Sequence, residues 1–254
     1  MSLLETKGLT KYFGGLAAVV DVDIHVDAGE IVGLIGPNGA GKTTMFNLLT
    51  GFDRPTRGRV IFKGRDITGL SPHKIAAYGL ARTWQQTIFF EGMTTLESLV
   101  LACHLHQKAR FFGCLFKTLR SRRDDAAAVE QAEEILEFLE MGPCRDEFPY
   151  NLPYGLQRIL GVGMTLATKP ELMLLDEAVT GMNPTEAVMM MDTIRKIRDR
   201  GVTILVVEHN MKVVMGTSER IAVLDFGRKI AEGNPAEISK DKFVIEAYLG
   251  AGVE

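Results

Sequence analysis

The feature that most constrains this chain is the octet Gly36-Pro37-Asn38-Gly39-Ala40-Gly41-Lys42-Thr43, set between an apolar run at 31–35 and a helix-patterned run at 43–50. It matches G-x-x-x-x-G-K-[ST] in the strand–loop–helix setting that a phosphate-binding loop requires. The glycines let backbone N–H groups converge on phosphate oxygens, and the following helix adds its positive end. Lys42 is expected to reach the β and γ phosphates, and Thr43 to ligate Mg2+. Gly36, Asn38, Gly39, Gly41, Lys42, Thr43 and Thr44 form the expected nucleotide-binding set.

A second signal is Leu172-Met173-Leu174-Leu175-Asp176-Glu177, an apolar strand ending in two carboxylates. The first suits holding Mg2+ through water, and the second suits orienting or deprotonating an attacking water. Lys42 and Asp176 stand 134 residues apart, farther than in small GTPases, and no N-K-x-D guanine motif occurs.

The pattern around these motifs is α/β. Residues 20–27 alternate apolar and polar strictly, predicting one half-buried antiparallel strand before the turn at Asp27-Ala28-Gly29. Residues 31–35 are apolar on both faces, as in a central strand. Residues 60–67 read as a hairpin through Lys63-Gly64, and Ser71-Pro72 as the capped start of a short helix. From about 94 to 166 the pattern is mostly helical. Val129, Ala132, Ile135, Leu136 and Leu139 make one apolar face of a helix over 125–140 that stops at Gly142-Pro143. Strand 172–175, helix 184–200 and strand 202–207 then alternate, predicting a parallel sheet. The expectation is one domain over 1–254. Its core, about 1–87 and 169–254, combines the parallel sheet with an N-terminal antiparallel β subdomain; a helical lobe is inserted at about 88–168.

Composition excludes other classes. The chain is 46% hydrophobic and 24% charged, too apolar for disorder, and its longest apolar runs are strand-length, too short to span a bilayer. The start lacks a basic region followed by an apolar stretch, which predicts no secretory signal. Cys103, Cys114 and Cys144 form no C-x-x-C, and His104 and His106 beside Cys103 lack a fourth ligand, so neither a disulfide frame nor a zinc site is expected. A net charge of −3 gives no support for nucleic-acid binding. Met189, Met190 and Met191 on a helix read as packing.

Taken together, the sequence resembles the nucleotide-binding subunit of an ABC (ATP-binding cassette) transporter over nearly its full length. Ala81-Arg82-Thr83-Trp84-Gln85 looks like the Q-loop, with Gln85 as its glutamine. Pro153, Tyr154, Gly155, Leu156 and Gln157 sit where the family signature belongs, Gly181-Met182-Asn183 resembles the D-loop, and His209, 32 residues after Glu177, looks like the switch histidine. Phe13 resembles the aromatic that stacks on adenine. The resemblance implies ATP and Mg2+ as ligands, with Thr43, Asp176 and Gln85 around the metal. It implies Glu177 polarising water, His209 holding the γ phosphate, and Gln85 sensing that phosphate and linking to the membrane subunit. It also implies two cassettes face to face, each ATP lying between one phosphate loop and the other chain's signature.

Within the family, the text reads closest to the larger ATPase of branched-chain amino acid importers. The phrases are Phe13-Gly14-Gly15-Leu16-Ala17-Ala18-Val19, Gly181-Met182-Asn183-Pro184, Val207-Glu208-His209-Asn210-Met211 and Glu246-Ala247-Tyr248-Leu249-Gly250. The partners implied are multi-spanning permease subunits, a second ATPase or a second copy of this chain, and indirectly a substrate-binding protein. The place implied is the cytoplasmic face of the membrane. The tract at 111–123, apolar then basic, is a further candidate for contact with membrane subunits or anionic lipid, or a packed loop with a solvated basic end. The signature departs from the family: Pro153 replaces Ser, Leu156 replaces the common Gln, and Ala178 replaces the Pro after Asp-Glu. Pro153 still suits the first turn of the helix it precedes. Two other readings stay open: a non-transport ABC ATPase, and a regulatory cassette with weak hydrolysis.

Overall fold

The computed structural model describes residues 2–84, 88–104 and 119–250, with the side chains of 119–124 and 250 left aside. The chain divides into two compact units, one of Met1–Arg82 with Glu171–Glu254, the other of Thr83–Pro170.

The first unit carries two sheets. In the antiparallel one, β1 (Ser2–Phe13) pairs with β2 (Leu16–Val22), β3 (His25–Asp27) and β5 (Arg57–Phe62), and β5 continues into β6 (Arg65–Asp66) as a hairpin. The alternating stretch at 20–27 is two strands rather than one. The Thr6 hydroxyl accepts from Ile24 N and donates to Val22 O, both at 2.9 Å, so a side chain from β1 fills the gap in the ladder. Burial nonetheless alternates through the break: Val22, Ile24 and Val26 face inward, and Asp23 and His25 outward.

The second sheet runs β11-β10-β4-β9-β8-β7, built from β11 (Arg228–Gly233), β10 (Arg220–Asp225), β4 (Ile31–Ile35), β9 (Thr203–Val207), β8 (Leu172–Asp176) and β7 (Leu80–Arg82). All neighbours are parallel except the β10–β11 hairpin. Every residue of β4, β8 and β9 is buried, which explains why these runs are apolar on both faces. Their carboxyl ends lead into Gly36, Glu177 and Glu208, the position where open α/β sheets place ligands.

Helices α1 (Lys42–Thr50), α2 (Pro72–Ala77) and, later in the chain, one over Pro184–Asp199 pack around these sheets. Pro72 is the first residue of α2 as expected. Ser71 stands at the N-cap position, but its hydroxyl meets His73 Nε2 at 3.3 Å instead of capping the helix. The Pro184–Asp199 helix starts with a reciprocal capping box: Asn183 Oδ1 accepts from Thr185 N and Glu186 N, and the Glu186 carboxylate accepts from Asn183 N. On that helix Met190 is fully buried, while Met189 is exposed.

The second unit contains α3 (Thr95–His104), α4 (Leu119–Phe138) and α5 (Tyr154–Ala167), each packed on the other two. The buried face of α4 is Ala128, Ala132, Ile135 and Leu136, continued by Leu139 in the turn just past its end. Val129, expected in that face, points outward, because the i, i+4, i+7 series starts one residue earlier. The helix also ends sooner than Gly142. Glu140 takes a left-handed φ of 58°, and Met141 N bonds Leu136 O at 2.9 Å, closing the helix without glycine. Gly142–Cys144 is a separate 3-10 turn. Among the described residues, the further α-helices belong to the first unit: α6 (Pro184–Asp199), α7 (Met211–Thr217), α8 (Pro235–Ile238) and α9 (Lys242–Gly250).

Candidate active site

The loop after β4 is locked onto the hairpin beside it. A Cβ on Gly36, whose φ is 153°, would stand 2.1 Å from Leu224 O, so no side chain fits there. The turn after β10 braces the loop: Gly227 N donates to Ala40 O at 3.0 Å, and Val20 N donates to Gly227 O at 2.7 Å. Gly41 enters α1 in a left-handed conformation with φ 100°, and no side chain caps the helix start. That start therefore leaves its first N–H groups to an anion.

Lys42 is buried, 6% exposed. Its ammonium donates to Gly36 O at 2.7 Å and Pro37 O at 2.9 Å, so it lies across the loop. Burial holds its pKa below the usual 10.5, opposed by the negative charge of Glu177. Asn38, Gly39 and Thr43 are exposed, and Thr44 is half-buried. A loop whose glycines at 36 and 41 leave no room for a Cβ, the uncapped helix end and the lysine form the donor set a polyphosphate requires.

Asp176 ends β8, 6% exposed. Its Oδ2 accepts from Arg82 at 2.5 Å. The next residue, Glu177, has a φ of 49°, and its N–H bonds Val207 O at 2.8 Å. That turn swings its carboxylate to His209, whose Nε2 lies 2.6 Å from Glu177 Oε1. The two residues that the sequence separates by 32 positions thus meet at the ends of adjacent strands, β8 and β9. A carboxylate bonded to an imidazole is a ready acceptor for a water proton.

Phe13, at the end of β1, is exposed, and Lys11 Nζ lies 4.7 Å from its ring centroid. The signature segment belongs to the second unit. Pro153 is the N-cap of α5, one position ahead of the first turn, because its ψ of 146° is not helical. Tyr154 is exposed, Gly155 buried, and Leu156 half-buried. Gln157 turns back, its Nε2 donating to Leu152 O at 2.8 Å. Gln85, His106, Cys114 and most of the tract at 111–123 lie outside the described residues.

Three residues missed as site residues in the sequence stand here. Arg82 holds Asp176 and also donates to Asn47 Oδ1 at 2.7 Å. The sequence carries no signal for it, since a lone arginine is ordinarily exposed and its burial here follows from the fold. Glu208 is 1% exposed and accepts from Val179 N at 2.8 Å, tying the end of β9 to the loop after Glu177. Tyr248 of α9 packs against the cluster that contains Ile35, beside the backbone of Gly36, and burial pushes its phenol above the usual 10. Nothing in the sequence alone brings Tyr248 to Gly36.

A lysine-bearing phosphate loop, paired strand-end carboxylates and a histidine just past the end of the adjacent parallel strand define a P-loop ATPase cassette. The chain belongs to the ABC transporter family, whose model matches residues 19–180. It is an ATPase of the kind coupled to transport. A second model, that of the branched-chain amino acid ATP-binding cassette transporter, matches residues 228–254. The high-affinity branched-chain amino acid transport ATP-binding protein BraF of Pseudomonas aeruginosa is 43% identical over 249 residues, covering 98% of each chain. Its counterpart LivG of Escherichia coli is 42% identical over the same length and share. Among solved structures, the ADP conformation of an ATP-binding cassette of an ABC transporter is 31% identical. Its TM-score is 0.86, covering 98% of this chain and 99% of that one.

Proposed function

We propose that this chain is the ATP-hydrolysing subunit of an importer for branched-chain amino acids, seated on the cytoplasmic face of the membrane and acting through separate permease subunits. The observation that carries the hydrolytic reading is the 2.6 Å contact between Glu177 and His209, with the charge of Glu177 acting on Lys42. The cargo reading is supported by BraF and LivG and by the match at 228–254.

In this reading the loop N–H groups and Lys42 bind the phosphates, and Phe13 stacks on the adenine. Thr43 and Asp176, with Gln85, hold Mg2+, which neutralises phosphate charge when bound. Glu177 orients and deprotonates the attacking water. His209 fixes the Glu177 carboxylate and holds the γ phosphate. Pro153, Tyr154, Gly155, Leu156 and Gln157 serve a nucleotide on a facing cassette. Pro153 has no hydroxyl to donate there, so a facing chain with an intact signature forms the better site with this chain's Lys42, Asp176, Glu177 and His209. We therefore favour a heterodimer with a second ATPase.

The test is reconstitution with the permease subunits and a binding protein in vesicles. ATP inside should drive uptake of leucine, isoleucine or valine, and Lys42→Ala should abolish it. The isolated chain should show no calorimetric heat with these amino acids. Micromolar binding of leucine to the chain itself, or uptake that persists in Lys42→Ala, would overturn the proposal.

A further inference from the structure

Arg82 ends the edge strand β7, yet its side chain is only 5% exposed. Its two guanidinium arms diverge. One donates to Asp176 Oδ2 on β8 at 2.5 Å; the other donates to Asn47 Oδ1 on α1 at 2.7 Å. The guanidinium carbon lies 5.5 Å from the ring centroid of Phe46, which limits its tilt. Asn47 is itself fixed, donating from Nδ2 to Asp53 Oδ2 at 3.1 Å. Asn47 stands four residues after Thr43 on α1, one turn along the same face. The arms therefore grip the two elements that bear the proposed metal-holding side chains, Asp176 and Thr43.

We propose that Arg82 is a positioning residue for the divalent cation: a rigid bracket that sets the separation between the end of β8 and helix α1, and so the cation affinity of the nucleotide-bound site. The inference rests on the reading of Thr43 and Asp176 as metal ligands. A planar fork is suited to the task, since it orients both partners at once. Lysine would carry the charge on a flexible stem without fixing an angle. Asp176 sits in the parallel sheet and Thr43 on a helix, and the Arg82 bracket ties these two elements together through side chains.

The experiment measures binding of a non-hydrolysable ATP analogue to the full chain in EDTA and across a Mg2+ titration, for wild type, Arg82→Lys and Asn47→Ala. Wild type should bind the analogue more tightly with Mg2+. Arg82→Lys should keep EDTA affinity within about twofold and reduce the Mg2+ advantage about tenfold, because one of two charged-group hydrogen bonds is lost. Asn47→Ala leaves the Arg82–Asp176 pair in place and should reduce the advantage by a smaller factor. It keeps the test open if Arg82→Lys does not fold. Equal losses in EDTA and in Mg2+ would make Arg82 a general brace and overturn the proposal, as would an unchanged Mg2+ advantage in both variants. A wild type with no Mg2+ advantage would instead overturn the metal reading of Thr43 and Asp176.

Discussion

Gly36→Ala and Gly39→Ala separate the two jobs a phosphate loop asks of glycine. At Gly36 a Cβ would stand 2.1 Å from Leu224 O, where ordinary contacts lie at 3.4–4 Å. The obstacle is backbone in a buried strand, so relief requires β4 and β10 to part. Overpacking costs about 1–3 kcal/mol and the strained φ about 1–3 kcal/mol, giving about 4 kcal/mol in the middle of the range. For a chain of this size each kcal/mol moves Tm by about 2–4 °C, so Gly36→Ala should melt about 8–16 °C lower. Gly39 also has a left-handed φ, 80°, but nothing lies within 4 Å of its Cβ. Its alanine carries strain of about 1–2 kcal/mol and should melt only about 2–8 °C lower. In the proposed reading phosphate approaches the open side of Gly39, so Gly39→Ala should weaken ATP binding about tenfold or more while the fold survives. Circular-dichroism melting without nucleotide and titration of a fluorescent ATP analogue check both. Equal melting temperatures for the two variants would refute the close approach at Leu224. Wild-type affinity in Gly39→Ala would refute the exposed face of the loop as the phosphate face.

Glu177→Gln should keep nucleotide binding and nearly stop turnover in the assembled complex; turnover comparable to wild type would remove Glu177 as the base. Pro153→Ser restores a hydroxyl worth about 1.5–3 kcal/mol to a charged acceptor. It should raise the ATPase rate of the concentrated isolated chain about ten- to a hundred-fold and change the proposed complex with a second ATPase much less; an unchanged rate in a confirmed homodimer would remove the argument for asymmetry. Glu232 is pushed up by burial, but hydrogen bonds and charges from Lys229 and Arg220 outweigh this and hold its carboxyl below the usual 4.5. Its stabilisation is therefore complete above pH 4.5 and is lost as the pH falls through the lowered value. The Tm gap between wild type and Glu232→Gln should be flat above about pH 5 and shrink toward pH 3.5; a gap that widens on acidification would contradict this.

The sequence alone determined the parts whose physics is local. The octet 36–43 needs glycine for backbone approach and lysine for charge, so loop, strand and helix are legible together. Buried parallel strands must be apolar on both faces, so β4, β8 and β9 were legible from composition, and with them the carboxylates at the end of β8. What depends on partners far along the chain was not legible. The split of 20–27 into β2 and β3 is decided by the Thr6 hydroxyl, 18 residues before Ile24. The strand order β11-β10-β4-β9-β8-β7 places β4 between strands some 170 and 190 residues later, and no periodicity encodes that choice. The inward face of α4 starts at Ala128 rather than Val129, because packing against α3 and α5 sets the phase of the helix. Most of all, Arg82 at Asp176, Glu208 at Val179 and Tyr248 at Gly36 are contacts across 94, 29 and more than two hundred residues. Each joins groups with no pattern in common along the chain. Only the closed tertiary fold, which pairs buried charged and polar groups with whatever lies beside them, decides such pairs.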